Sequence, residues 1–271
     1  MPTKIIALGT GSAFTMKNYQ TNFVIERNGK CLLIDCGSDV RFSLREQKLT
    51  FKDIDAVYVS HAHADHIGGI EFLAFTRYFT KRGMEQAGHA NPLSLPKFFC
   101  ERGLVRSLWD HSLRGGMEGL EGFDATIETY FDVHPIQKNG SFEWEGLKFD
   151  IVQSLHVSAK YSILDSFGLM FTDDDGSRIF ITTDVQFAPE TAMKAYYEEA
   201  KLIIHDCETS FASGVHATYD QLKTLKDSIK KKMLLIHYND NVLENWTDWV
   251  EKANNDGFLG FTEPGVIYKT T

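Results

Sequence analysis

A chain of 271 residues, 43% hydrophobic and 24% charged, is long enough for a sizeable core and has the composition of an ordinary globular protein. No apolar run approaches the roughly 20 residues that a membrane-spanning helix needs, and the opening MPTKIIALGTG lacks the plan of a signal peptide, so a cytoplasmic protein is expected. The net charge of −9 counts against a large nucleic-acid ligand, whose affinity comes mainly from neutralised phosphates.

The first third reads as strands over 4–9, 21–26, 30–36 and 54–60, punctuated by Gly9, Gly11, Gly29 and Gly37. Apolar spacings of three and four predict a helix around 39–47 and another beginning near Gly69. Residues 82–124 hold seven glycines and suggest loops and short helices, an insertion or lid over a site. Strands resume over 126–134, 147–156, 166–173, 178–184 and 200–207. A helix over 218–231 leads into a strand at 232–240, and a last helix near 243–255 precedes a short strand at 265–269. With no repeat or linker, a single α/β domain over 1–271 is expected. Strands ending in His or Asp recur at His61, His156, Asp184, His205 and His237, and layered α/β folds gather ligands at strand ends.

The four cysteines, Cys31, Cys36, Cys100 and Cys207, are scattered and form no CxxC knuckle. Cys31 and Cys36 fall in one predicted strand on opposite faces, so they read as reduced, buried thiols. The dense cluster is SHAHADHIGG, residues 60–69, directly after the apolar run IDAVYVS. His61 and His63 can point the same way on leaving a strand, and Asp65 and His66 belong to the next turn. Gly68 and Gly69 then permit tight geometry. Imidazole nitrogens and carboxylate oxygens suit borderline divalent ions such as zinc.

SHAHADHIGG resembles the signature of the metallo-β-lactamase superfamily, and LGTGSAFT, LLIDCG and IDAVYVSHAHADHIGG together resemble its ribonuclease Z-like branch. The resemblance implies a four-layer αβ/βα sandwich with two metal ions at the edge where strands end. It also implies that His61, His63 and His156 hold one ion, Asp65, His66 and His237 the other, and Asp184 both. Zn2+ is the expected metal, with Mn2+ as its rival for an all-N/O site. Two such ions lower the pKa of a shared water, and Asp65 can ligate one of them and accept a proton or orient the hydroxide. In GVHATYDQL, at the start of the predicted helix, the resemblance makes His216 a catalytic residue that contacts the scissile phosphate. Either Asp206 or Glu208, in HDCETSF, would support it.

Ribonuclease Z proper carries a long tRNA-binding arm between the positions matching His156 and Asp184. Here the interval holds only 27 residues, Val157 to Thr183, and two strands already need them. Extra length falls instead within 82–124, where Trp109, His111, Arg102, Arg106 and Arg114 would suit a base and a phosphate, or serve an ordinary packing insertion. Armless members of the branch include cyclic-nucleotide phosphodiesterases, among them the anti-Pycsar enzymes of phages and bacteria. The expected function is therefore metal-dependent hydrolysis of a small phosphodiester, a 3′,5′-cyclic nucleotide, by a homodimer. The alternatives are a tRNA 3′ endonuclease, or a phosphorylcholine esterase, thioesterase or lactonase of the same superfamily.

Overall fold

The computed structural model describes residues 2–189, 191 and 193–269. The chain forms β1 (Lys4–Gly9), β2 (Asn22–Arg27), β3 (Lys30–Ile34), β4 (Ile54–Val59), β5 (Lys97–Glu101), a small hairpin of β6 (Gly119–Leu120) and β7 (Phe123–Asp124), and β8 (Asp132–Ile136). It continues with β9 (Ser141–Trp144), β10 (Leu147–Ser158), β11 (Ile163–Thr172), β12 (Arg178–Ile181), β13 (Leu202–Asp206), β14 (Met233–Ile236), β15 (Gly260–Phe261) and β16 (Gly265–Lys269). Two seven-stranded sheets result, in the orders β16-β1-β2-β3-β4-β5-β8 and β15-β14-β13-β12-β11-β10-β9. The chain thus builds one sheet with its first half and the other with its second, and its last strand returns to the first.

Alternation along each strand decides the layers, because successive side chains point to opposite faces. Ile5, Phe23, Ile34 and Tyr58 of the first sheet meet Phe149, Leu169, Ile181 and Ile204 of the second in the central core. The opposite face of the first sheet (Val24, Leu33, Val57) packs under the helices Val40–Glu46 and Ile70–Gln86. The outer face of the second (Met170, Phe180, Ile203) packs under Met193–Glu199, Tyr219–Lys223 and Trp246–Asn255. This is the four-layer αβ/βα sandwich. Among the described residues, no helix is long and apolar enough to cross a membrane.

Several boundaries differ from the sequence reading. Residues 126–134 were expected as a strand, but Ile127–Tyr130 is a helical turn opened by a capping box at Thr126. The expected helix over 218–231 is two short ones, Tyr219–Lys223 and Asp227–Lys230. Strand β3 ends at Ile34, so Cys36 lies beyond it, and all four cysteines are buried free thiols. Segment 82–124 contributes β5, between β4 and β8, and helical turns whose Leu108, Leu113 and Met117 pack into the outer core. Arg106 and Arg114 there pair with Asp110 and Glu118 four residues on. The interval after His156 is filled by β11 and β12 and their short connections.

The two sheets are joined at one edge by polar contacts. The Tyr58 hydroxyl donates to the Phe167 carbonyl at 2.6 Å, and the Phe167 amide donates to the Ser60 carbonyl at 3.2 Å. At the opposite end, buried Arg27 donates to the Glu145 carbonyl at 2.9 Å and pairs with Asp173 and Asp174. Tyr58→Phe leaves a buried carbonyl short of its donor and should destabilise the protein by about 1–3 kcal/mol. Urea unfolding at fixed metal concentration checks this, and an unchanged midpoint would show that the inter-sheet bond contributes nothing.

Candidate metal centre

Parallel strands β3, β4, β12, β13 and β14 all end at the same edge, and each delivers a polar residue there. Asp35 follows β3, His61 and His63 follow β4, Asp184 follows β12, Asp206 ends β13 and His237 follows β14. His156 comes from antiparallel β10, at a break in its register with β11 between Leu155 and Val157. Such bulges re-aim a side chain. Asp65 and His66 sit on the single helical turn Ala64–Ile67. The loop after β3 lies tight against that turn: a Cβ on Gly37 would come within 2.2 Å of the Asp65 carbonyl oxygen. The Cys36 amide also donates to the His66 carbonyl at 2.7 Å.

Three overlapping groups of donors result, the third being Asp184, Asp206, His216 and His237. His61, His63, His156 and Asp184 form the first, and Asp65, His66, Asp184 and His237 the second, with the ligand-type atoms of each within 4.8 Å of one another. Asp184 divides its oxygens between these two. Its Oδ2 lies 3.7 Å from His61 Nε2 and 3.6 Å from His156 Nε2, while its Oδ1 lies 3.2 Å from His66 Nε2 and 3.6 Å from His237 Nε2. All seven residues that the resemblance implied come together here.

The donor chemistry fits divalent cations. His61 Nδ1 is 3.0 Å from the Ser60 hydroxyl, His66 Nδ1 donates to Asp35 at 2.7 Å, and His156 Nδ1 donates to the Val215 carbonyl at 2.9 Å. With the outer nitrogens so occupied, the Nε2 lone pairs face inward. His61 Nε2 and His156 Nε2 then lie 3.1 and 3.0 Å from His63 Nδ1. Burial lowers the pKa of all three rings, so neutral imidazoles converge here with the Nε2 lone pairs of His61 and His156 both turned to His63 Nδ1. A shared cation would satisfy these donors by ligation. His66 Nε2 is buried without a well-formed hydrogen bond, beside carboxylate oxygens of Asp65 and Asp184 at 3.1 and 3.2 Å.

In the second group, burial opposes charge on Asp65 and Asp184, but the neighbouring histidines outweigh it and hold both carboxyls well below the usual range. Burial also opposes charge on His66 and His237, yet Asp184 and the other carboxylates around them raise both. Asp65 Oδ2 stands 3.1 Å from His66 Nε2 and 3.3 Å from His237 Nε2.

His216 Nδ1 donates to Asp206 Oδ2 at 2.7 Å and lies 3.9 Å from Asp184 Oδ2. Burial lowers its pKa, but the Asp206 charge more than offsets this and raises it. Glu208 instead accepts from the amide and hydroxyl of Ser213, so its carboxylate shapes the preceding loop. The expectation that His216 opens a helix does not hold. The helix begins at Tyr219, and its Tyr219, Gln221 and Leu222 amides donate to Glu208 and Thr218. His205, despite ending an apolar run, points away from the centre, as alternation with Asp206 requires.

Asp35, in LLIDCG, also belongs to the site. Its Oδ2 accepts from both the Ser60 hydroxyl and His66 Nδ1, and its Oδ1 accepts from the Ser60 amide. It too follows an apolar strand, which is the signal that could have found it.

The family model for anti-Pycsar protein Apyc1 matches residues 3–268. The chain belongs to this family. An anti-Pycsar protein Apyc1 from Paenibacillus harenae is 35% identical over 236 residues, covering 87% of this chain and 89% of the relative. Another, from Bacillus phage vB_BsuM-Goe3, is 31% identical over 252 residues, covering 89% and 91%. The metallo-β-lactamase fold protein YhfI from Bacillus subtilis aligns over 99% of this chain and 98% of its own, with a TM-score of 0.69 at 18% identity. That likeness establishes the fold. Family, fold and donor clusters agree on a divalent-metal hydrolase.

Carboxylates that fix the outer nitrogen of a ligating histidine typically contribute about 10–100-fold to metal affinity. Asp35→Asn tolerates the left-handed backbone at this position (φ 59°) but turns an amide donor or a weaker acceptor toward His66. Chelator competition should show weaker metal binding by about that factor. An unchanged affinity would remove Asp35 from the role of orienting His66.

Proposed function

We propose that the chain is a phosphodiesterase with two divalent metal ions, Zn2+ in first place and Mn2+ as the rival, that opens a 3′,5′-cyclic nucleotide to a linear nucleoside monophosphate in the cytoplasm. The observation that carries the reading is the placement of His216. It stands beside the shared carboxylate Asp184, with Asp206 holding its Nδ1. Membership in a family named for opposing Pycsar supports a cyclic nucleotide as the substrate.

His61, His63 and His156 would hold one ion and Asp65, His66 and His237 the other, with Asp184 shared. When bound, the pair acidifies water and polarises phosphoryl oxygens. The chain's own residues then divide the proton work. Asp65, deprotonated in the buried site, takes a proton from the attacking water. As the new phosphorus–oxygen bond forms and the bond to the leaving ribose oxygen breaks, His216 passes its proton to that oxygen. Asp206 raises the His216 pKa, which favours the charged ring as a donor beside a phosphate.

A small substrate suits the rest of the molecule. The interval after His156 is spent on β11 and β12, and the acidic chain offers little to a long polyanion. A homodimer belongs to the same reading. Phe42, Phe72 and Phe79 are exposed on neighbouring helices, with the Arg41 guanidinium over two of these rings, and light scattering would test self-association through this face.

His216→Ala should keep its metal and lose about 10²–10⁴-fold in cyclic-nucleotide turnover, the range for a general acid or charge stabiliser. Turnover near wild type with metal retained would reduce His216 to a structural residue. A panel of cyclic nucleotides, a pre-tRNA and a thioester, assayed with one wild-type preparation, tests the substrate class. Cleavage of pre-tRNA with no cyclic-nucleotide hydrolysis would overturn the reading.

A further inference from the structure

Asp206 is fully buried at the end of β13, and a separate partner meets each of its backbone polar groups. Its amide donates to the Thr182 hydroxyl at 3.1 Å. Its carbonyl, beyond the reach of the ladder, lies 2.6 Å from His205 Nδ1. A carbonyl only accepts, so Nδ1 carries a proton. Burial lowers the His205 pKa and keeps the ring neutral, which leaves Nε2 as an acceptor. The Tyr197 hydroxyl, from the outer helix Met193–Glu199, stands 2.6 Å from that Nε2 and must be the donor. Protons are therefore ordered along one line, from Tyr197 to His205 to the Asp206 backbone.

The Asp206 carboxylate then faces the site. Its Oδ2 accepts from the Val185 amide at 2.9 Å and from His216 at 2.7 Å, and its Oδ1 lies 3.4 Å from His237 Nδ1. Val185 follows the shared Asp184 directly. One carboxylate is thus in register with the candidate proton donor, a candidate metal ligand and the strand end bearing the shared carboxylate.

We propose that Tyr197 and His205 are positioning residues that fix Asp206, and through it aim the His216 proton at the leaving oxygen. The inference rests on the reading of His216 as proton donor. His205 supplies the only hydrogen bond found to the Asp206 carbonyl among the described residues, so removing it frees the segment that holds His216. Neither residue touches substrate or metal in this account. Their effect is read on steps that need a well-aimed proton, with metal content as the check on the contact between Asp206 and His237.

The test compares two substrates on the metal-loaded full chain. A cyclic nucleotide expels an alkoxide that needs a proton, whereas bis(p-nitrophenyl) phosphate expels a stable phenolate that does not. Tyr197→Phe, the minimal change, should lower cyclic-nucleotide turnover about 3–10-fold, the worth of one hydrogen bond, and spare the phenolate substrate. His205→Leu should lower it about 10–100-fold with the same selectivity and unchanged metal content. His205→Asn, whose amide can replace Nδ1–H, should recover part of the loss. Equal loss on both substrates, or none on either, would overturn the inference, and Tyr197→Phe decides the matter if His205→Leu does not fold. His216→Ala run alongside separates the two claims. If it loses both substrates equally, the proton-donor reading fails. If it shows the selectivity and the Tyr197 and His205 variants do not, only the positioning role fails.

Discussion

The Nε2 atoms of two fully buried imidazoles, His61 and His156, both lie about 3 Å from Nδ1 of the half-buried His63. Asp184 Oδ2 stands 3.7 and 3.6 Å from them, completing a cluster of donors that a cation would satisfy. That requirement governs the molecule. The first half of the chain supplies His61, His63, Asp65 and His66, and the second half supplies His156, Asp184 and His237, so neither sheet completes the site alone. The central apolar core brings the halves together, and the Tyr58 and Ser60 contacts to Phe167 fix how they meet at the site's edge. Removing the cation would leave the hydrophobic core intact but that donor cluster unsatisfied. Metal binding and the register of the two sheets are therefore thermodynamically linked.

The backbone carries part of the cost. Asp35, Thr183 and His237 have φ of 59°, 53° and 59°, in the left-handed region, and each stands within a residue or two of a strand end at the site. For the β-branched Thr183 this conformation is unfavourable. It is the residue before the shared Asp184, so the turn that aims the carboxylate inward is made against local preference. The flanking Thr182 offers a compensation, because its hydroxyl receives the Asp206 amide and locks the adjacent strand end. Strain at the three strand ends is sustained by β3, β12 and β14, each of which is paired on both sides within its sheet.

Much of this was legible in the sequence, for a physical reason. Metal ligands must be His, Asp or similar residues, and a layered α/β fold exposes them where apolar strands stop. HxHxDH, His156, Asp184 and His237 all obey that grammar. The same grammar misread His205, because an apolar run cannot say on which face its last residue points, and alternation turned this one to the outer layer. Asp35 obeys the grammar too, but the motif LLIDCG that contains it says nothing of a role beside His66. The short helices after Thr218 and at Ile127–Tyr130 were mistaken for longer or different elements, since capping hydroxyls, not hydrophobic periodicity, set their ends. The choice between Asp206 and Glu208 was not legible in the sequence. Two acidic residues two apart on an extended segment face the same way, and only the path of the loop through Ser213 separates their roles.

The central claim is that one carboxylate joins two metal sites built from opposite halves of the chain. Anomalous diffraction at the zinc absorption edge, on crystals of protein purified without chelator, addresses it directly. The account predicts two separate peaks, one within reach of His61, His63 and His156, the other within reach of Asp65, His66 and His237, both against the carboxylate of Asp184. A single peak at full occupancy, or two peaks with Asp184 turned away from either, would contradict it.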